Sequence, residues 1–352
     1  MQDRIELIGE RRDLDSLATA WDALADRAGH PFARHAWLCA WLDAFAPGRD
    51  LAVFTAWRGD WLAGVLPTIA DGGLLAAPTN AHTPWFSTLG DAQAIGALGD
   101  ALARSPASHV VLGELALDDP TVDVLRDALD ARRPLTWIEP RRHAPVVEPQ
   151  ESRRVGSLSG RRTKELRRLA RRLEHDVGAR VESLAQPVEL EQELEQALAV
   201  EASGWKGRRG TAILDDDPTD RFYREMARAF HARGELRFSR ITARERLVAF
   251  DLCLVSHGRV WIPKGSIDEE FGRFSPGRVL LLAEIEAAFA SGLDGVELLG
   301  DAEPYKLPFA TRVRPHGALH GARLRPLPLA RIAYRRAAYP LLRKAAQRLR
   351  SR

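Results

Sequence analysis

Cys39 and Cys253 are the only cysteines in 352 residues, and both fall within apolar patterns. A disulfide framework is therefore not expected, and a reducing cytoplasm suits the chain. No uninterrupted apolar run reaches the length needed to span a bilayer. The opening Met1-Gln2-Asp3-Arg4 lacks the charged-then-apolar pattern of a secretion leader. His-Glu-x-x-His, Cys-x-x-Cys, Gly-x-Ser-x-Gly, a Walker loop and a dinucleotide fingerprint are all missing, so none of those chemistries has a signature here. The ten histidines are scattered, and no metal is expected.

What is present is ordinary in bulk: 45% hydrophobic and 28% charged residues, as in a soluble globular protein, with length for two cores. The net charge of +3 is small, but basic residues concentrate at 153–172 and 331–352. Residues 5–8 read as an edge strand. Residues 14–28 repeat Leu14, Leu17, Trp21 and Leu24 on one face of a helix, and a second helix after Pro31 carries Trp37, Leu38, Trp41 and Phe45 as core. Residues 51–57 and 62–69 form a hairpin, with Arg58-Gly59-Asp60 as its tight turn rather than an adhesion motif. A long connection, 72–89, contains His82 and Trp85 and either lines a cleft or packs as a plain loop. Helix 92–103, strand 109–114, helix 121–132 and strand 135–138 follow, and 141–150 reads as a crossover linker. A similar order then repeats: helices 158–175 and 219–232, and strands 179–184, 236–241, 247–255 and 259–267.

The stretch 271–306 carries the clearest chemical signal. Ser275-Pro276-Gly277 sits where a helix should begin, with Ser275 able to cap it and Pro276 where a missing N–H costs nothing. Leu281, Leu282, Ile285, Ala288 and Phe289 form the helix's apolar stripe, with Glu284 and Glu286 elsewhere. A short strand, 295–300, leads to a polar loop ending in Tyr305-Lys306, and residues 317–324 make a closing strand. A loop of small residues opening a helix suits a pyrophosphate, because free N–H groups and the helix dipole point outward; most such turns only start helices.

Trp205-Lys206-Gly207, Ile267-Asp268-Glu269, Ser275-Pro276-Gly277 and Gly300-Asp301-x-x-Pro304-Tyr305-Lys306, in that order, carry a resemblance. Residues 155–325 resemble the acyltransferase domain of the CelD/BcsL (cellulose-biosynthesis-type) family of the GNAT superfamily, related to FemABX-like tandem proteins. The resemblance implies an α/β (α+β) fold of two tandem GNAT-like domains, each a mixed, mostly antiparallel sheet flanked by helices. The implied division is a degenerate domain at 1–150, an acyltransferase domain at 151–326 and a basic amphipathic tail at 327–352. It further implies acetyl-CoA or another acyl-CoA as donor, and an amine or hydroxyl of a small molecule or saccharide precursor as acceptor. Phe274, Ser275, Pro276, Gly277, Arg278 and Val279 would form the pyrophosphate loop, with Arg273 and Arg278 adding charge.

Tyr305 lies where many such enzymes have a tyrosine that protonates the departing thiolate, or is simply core. Asp301 and Glu303 share its loop and are candidate bases. Asp251 is another: alternation puts it on one strand face with Ala249 and Cys253, as a base with a raised pKa or as a paired structural acid. Trp205 and Lys206 would cover the acceptor, Asp268 caps the loop or reaches the acceptor, and Lys206 and Lys306 are alternatively salt-bridge partners. The basic run Arg161, Arg162, Lys164, Arg167, Arg168, Arg171 and Arg172 suggests RNA, and FemABX relatives use aminoacyl-tRNA. Leu158, Leu166, Leu169 and Leu173 give the same segment an apolar stripe, so a solvated helix explains it and nucleic acid is not the expected partner. The tail 329–352 has eight basic residues interleaved with apolar ones and no acid, which fits either a solubilising tail or contact with the inner face of a membrane. Two alternatives stand beside acyl transfer: an aminoacyl-tRNA-dependent ligase, and a non-catalytic accessory protein of a polysaccharide machine.

Overall fold

The structure, a computed structural model, describes residues 3–150 and 158–323. The tail 327–352 and its membrane contact lie outside the described residues. Among the described residues no helix is long and apolar enough to cross a membrane.

In chain order the first half comprises β1 (Arg4–Ile8), α1 (Arg11–Ser16), α2 (Ala18–Ala28), α3 (His35–Phe45), β2 (Asp50–Leu51), β3 (Val53–Arg58) and β4 (Trp61–Leu66). It continues with β5 (Ile69–Asp71), β6 (Leu74–Ala76), β7 (Leu89–Gly90), α4 (Ala92–Arg104), β8 (His109–Ala116), α5 (Pro120–Asp130) and β9 (Leu135–Val147). The second half begins with α6 (Gly160–Val177), β10 (Ala179–Ala185), α7 (Leu190–Ser203), α8 (Trp205–Arg208) and α9 (Asp217–Ala232). It ends with β11 (Leu236–Ala243), β12 (Arg246–Ser256), β13 (Arg259–Ile267), α10 (Pro276–Ala290), β14 (Gly295–Glu297) and β15 (Arg312–Ala322).

The result is the expected α/β architecture, mixed and mostly antiparallel sheets flanked by helices. Among the described residues two of the pairings are parallel, and they repeat one device. In the first half β6 and β8 run parallel across α4, with Leu74 opposite His109. In the second half β13 and β14 run parallel across α10, with Arg259 opposite Gly295.

A small sheet has the order β1-β3-β4-β7, and a large one β10-β11-β12-β13-β14-β9-β15-β8-β6-β5-β2. The large sheet crosses the whole molecule because β15 inserts between β9 and β8. Of segment 141–150, expected as a linker, residues 141–147 are therefore the second half of a 13-residue strand ending at Val147. Pro145 misleads: it stands in the strand opposite Val313 and takes part through its carbonyl, which accepts from Leu298 N–H at 3.0 Å. Helix 14–28 is likewise two helices, broken at Leu17. The aromatic stripe of α3 packs between the halves: Trp37 meets Phe222 at 5.1 Å, and Phe32, just upstream, meets Trp261 at 5.6 Å.

Candidate active site

β13 pairs with β14 only over Arg259–Trp261. Two residues of β13, Ile262 and Pro263, then stand opposite the single residue Cys253 of β12, a bulge that bends the strand and forms where proline is tolerated. Beyond β14 the chain follows β9 instead, with Leu298 N–H donating to Pro145 O at 3.0 Å. The two parallel strands therefore fork. The expected strand 295–300 stops at Glu297 for the same reason, and Leu299 and Gly300 turn away with positive φ. A cleft of about 780 Å3 opens at the fork, lined by Lys264, Gly265, Ser266 and Ile267 on one side and by Leu298, Gly300 and Tyr305 on the other.

The N-terminus of α10 faces this cleft through Ser275, Gly277 and Arg278. Ser275 does not cap the helix as expected. It adopts φ 50° and ψ 53°, and its side chain makes no cap bond. Ser275 follows a 3-10 turn (Glu269–Phe274) and donates its N–H to Gly272 O at 2.9 Å, Pro276 has no N–H, and Arg278 N–H donates to Ser275 O at 3.0 Å, so Gly277 is the residue of this start whose N–H is left to face the cleft. Arg278 has a buried Nε with no partner, and it forms no ion pair among the described residues. The matching helix of the first half is closed: Asp91 caps α4 by accepting from Ala94 N–H at 2.8 Å, and Arg58 pairs with the same carboxylate. One helix start already holds an anion and the other does not.

Phe274, Pro276 and Val279 are buried, so of the expected loop Ser275, Gly277 and Arg278 line the cleft. Asp268 is also buried; it caps the 3-10 turn, pairs with Arg246 and does not line the cleft.

Asp251 projects into the cleft from β12, over Gly265, where a side-chain methyl would collide with its carboxyl. Beneath it lies Glu284, a completely buried residue of α10. Cys253 Sγ donates to Glu284 Oε1 at 3.3 Å, whereas Glu284 Oε2 is buried without a hydrogen-bond partner. Burial, then the charge of Glu284, pushes Asp251 well above the usual carboxylate range; burial raises Glu284 to about 7. The expectation that Glu284 lies off the buried stripe is wrong. It is three residues after Leu281 and four before Ala288, both buried, and that spacing was the available signal.

Tyr305 is half exposed beside Asp251, and burial together with Glu303 raises its pKa, so the phenol stays protonated. Lys306 Nζ donates to Leu299 O at 3.1 Å and pairs with Glu303 at 2.9 Å, which holds the turn. Asp301 spends its carboxylate on Ala302 N–H at 2.8 Å and His143 N–H at 3.3 Å. Those bonds hold its pKa below the usual range, which favours a turn-fixing carboxylate over a base. At the far end of the cleft stand Trp205 and Lys206 with Lys264, Tyr223 and His82. Lys264 carried no sequence signal beyond its type, whereas the connection 72–89 lines the cleft through Ala81 and His82, one of the two readings its sequence left open.

Residues 160–307 match the family described as Acetyltransferase (GNAT) domain. Three solved structures share the fold over nearly their full length. The C-terminal domain (DUF2156) of a candidate lysylphosphatidylglycerol synthetase from Agrobacterium fabrum is 11% identical, with a TM-score of 0.58 over 91% of this chain and 95% of that one. L-PGS from Bacillus licheniformis is 12% identical, TM-score 0.58, covering 93% and 96%. FemX is 10% identical, TM-score 0.58, covering 93% and 99%. No curated protein matches the chain in sequence.

Proposed function

We propose that the protein transfers an acyl group, acetyl in the simplest case, from a coenzyme A thioester to an amine or hydroxyl of a small molecule or saccharide precursor. The observation that carries this reading is the fork between β13 and β14, which faces a helix start that no side chain caps. Along the fork β13 pairs on one side only, so its outward amides and carbonyls suit the two amides of a pantetheine arm. Gly277 and Arg278 would take the pyrophosphate.

In the transfer, the acceptor's nitrogen or oxygen bonds to the acyl carbon and the carbon–sulfur bond breaks. Asp251 accepts the acceptor's proton and Tyr305 gives one to the departing thiolate. Glu284, buried beneath, raises the pKa of Asp251. Asp301 and Lys306 fix the turn that carries Tyr305.

One observation favours a second reading. Arg161, Arg162, Lys164, Arg168 and Arg171 on α6 are exposed and, among the described residues, form no ion pair, whereas Arg167 pairs with Glu286 and Arg172 with Asp176. With the fold likeness to FemX, this suits an aminoacyl-tRNA-dependent ligase. Calorimetric titration with acetyl-CoA, longer acyl-CoAs and bulk tRNA separates the two. Micromolar acyl-CoA binding that Gly277→Trp abolishes supports acyl transfer; tRNA binding without thioester binding replaces it with the ligase.

A further inference from the structure

The cleft has a second charged end. Glu201, in the last turn of α7, is completely buried, and its Oε2 accepts from Ile213 N–H at 2.8 Å. Its Oε1 is shared by Lys264 Nζ at 2.8 Å and Lys206 Nζ at 3.0 Å. One carboxylate thus faces two ammonium groups, and one positive charge is left uncompensated in a partly enclosed space.

The surrounding groups do not supply the missing negative charge. Lys264 Nζ lies 5.4 Å from the Tyr223 ring, and burial keeps that phenol protonated. His82, from the connection between β6 and β7, sits 3.4 Å from the Tyr223 hydroxyl and 3.4 Å from Thr219 Oγ1. Burial and the charge of Lys264 lower it to about 4, so it is neutral. Asp216 spends its carboxylate capping α9. Trp205 stands at the mouth with Lys206 and Arg209 beside its ring. Burial and the charge of Lys206 lower Lys264 to about 8, so the cluster holds more positive charge than its surroundings stabilise.

Resting on the acyl-transfer reading, we propose that this end is the acceptor subsite, and that the acceptor carries a carboxylate or phosphate group held by Lys206 and Lys264. Gly265, next to Lys264 on β13, pairs with Asp251, so an acceptor anchored on the lysines presents its nucleophile to that carboxylate. His82 and Ala81 bring the first half into the same wall, which gives the half with the closed helix start a part in choosing the acceptor.

Calorimetric titration of the full chain with acetate and with inorganic phosphate, against chloride at equal ionic strength, tests the proposal. It is run on wild type and on Gly277→Trp, whose donor end is filled, so the outcome does not depend on coenzyme A. The expected result is millimolar binding of at least one anion to both chains, weakening as pH rises from 7 to 9 and Lys264 loses its proton. Affinity falls at least tenfold in Lys264→Met, and in Lys206→Met should the first variant fail to fold. Preference for phosphate or for acetate tells which group the acceptor carries. Binding no stronger than that of chloride, or binding that survives the lysine substitutions, overturns the subsite. Anion binding in a chain that binds no acyl-CoA overturns the donor reading instead.

Discussion

Asp251 and Glu284 form one titrating unit, and its proton is the quantity on which the chemistry turns. A base must be ionised, so the transfer rate rises with pH as the pair loses its proton. Asp251→Asn is expected to lower kcat by about 100-fold or more while acyl-CoA binding persists. Glu284→Gln removes the carboxyl that raises Asp251, so the acid limb of the pH–rate profile moves to lower pH; a purely structural Glu284 would leave the limb in place. The stability sign follows from the same shift. A carboxyl raised to about 7 in the folded state favours folding below that pH, and the contribution is lost as pH rises from its unfolded value near 4.5 toward 7. Melting temperatures of wild type relative to Glu284→Gln should fall across that window. Asp251 was legible in the sequence because strand alternation put a carboxylate on an apolar face. Glu284 was equally available from its spacing to Leu281 and Ala288, but its charge argued for solvent, and only its partner explains why it is inside.

At the scale of the element, the opening of α10 departs from a standard cap. Ser275 is left-handed with an idle hydroxyl, a backbone state that disfavours any residue with a Cβ by about 1 kcal/mol or more. Ser275→Gly should raise unfolding stability by about 1 kcal/mol in urea denaturation, whereas replacing a true cap would lower it. Sequence placed this helix start correctly and misread its geometry, because Ser before Pro-Gly has the composition of an ordinary cap. The fork was not legible at all. It depends on the bulge at Ile262 and Pro263 and on β14 stopping at Glu297, and both are set by which strand the chain pairs with next.

For the whole molecule, the order of elements and the repeat of strand, helix and parallel strand could be read from the chain, while their interlocking could not. Long-range pairing of β15 with β8 and β9 spans some two hundred positions, and no local pattern reports it. The consequence is that the first half alone exposes the edges that β15 covers. Residues 1–150 expressed alone should aggregate or remain unfolded, and the intact chain should melt in a single calorimetric transition; two separated transitions would mean that the halves are independent. The same interlocking brings His82 to Lys264 and Tyr223.

In the proposed reaction an acyl thioester occupies the fork beside β13. Amide hydrogen exchange, followed residue by residue with and without saturating acetyl-CoA, reads that occupancy directly. A thioester in the fork slows exchange at Lys264–Ile267 and at Gly277 and Arg278, and produces no such change in Gly277→Trp. Unchanged exchange at those amides, or protection confined to α6, would contradict it.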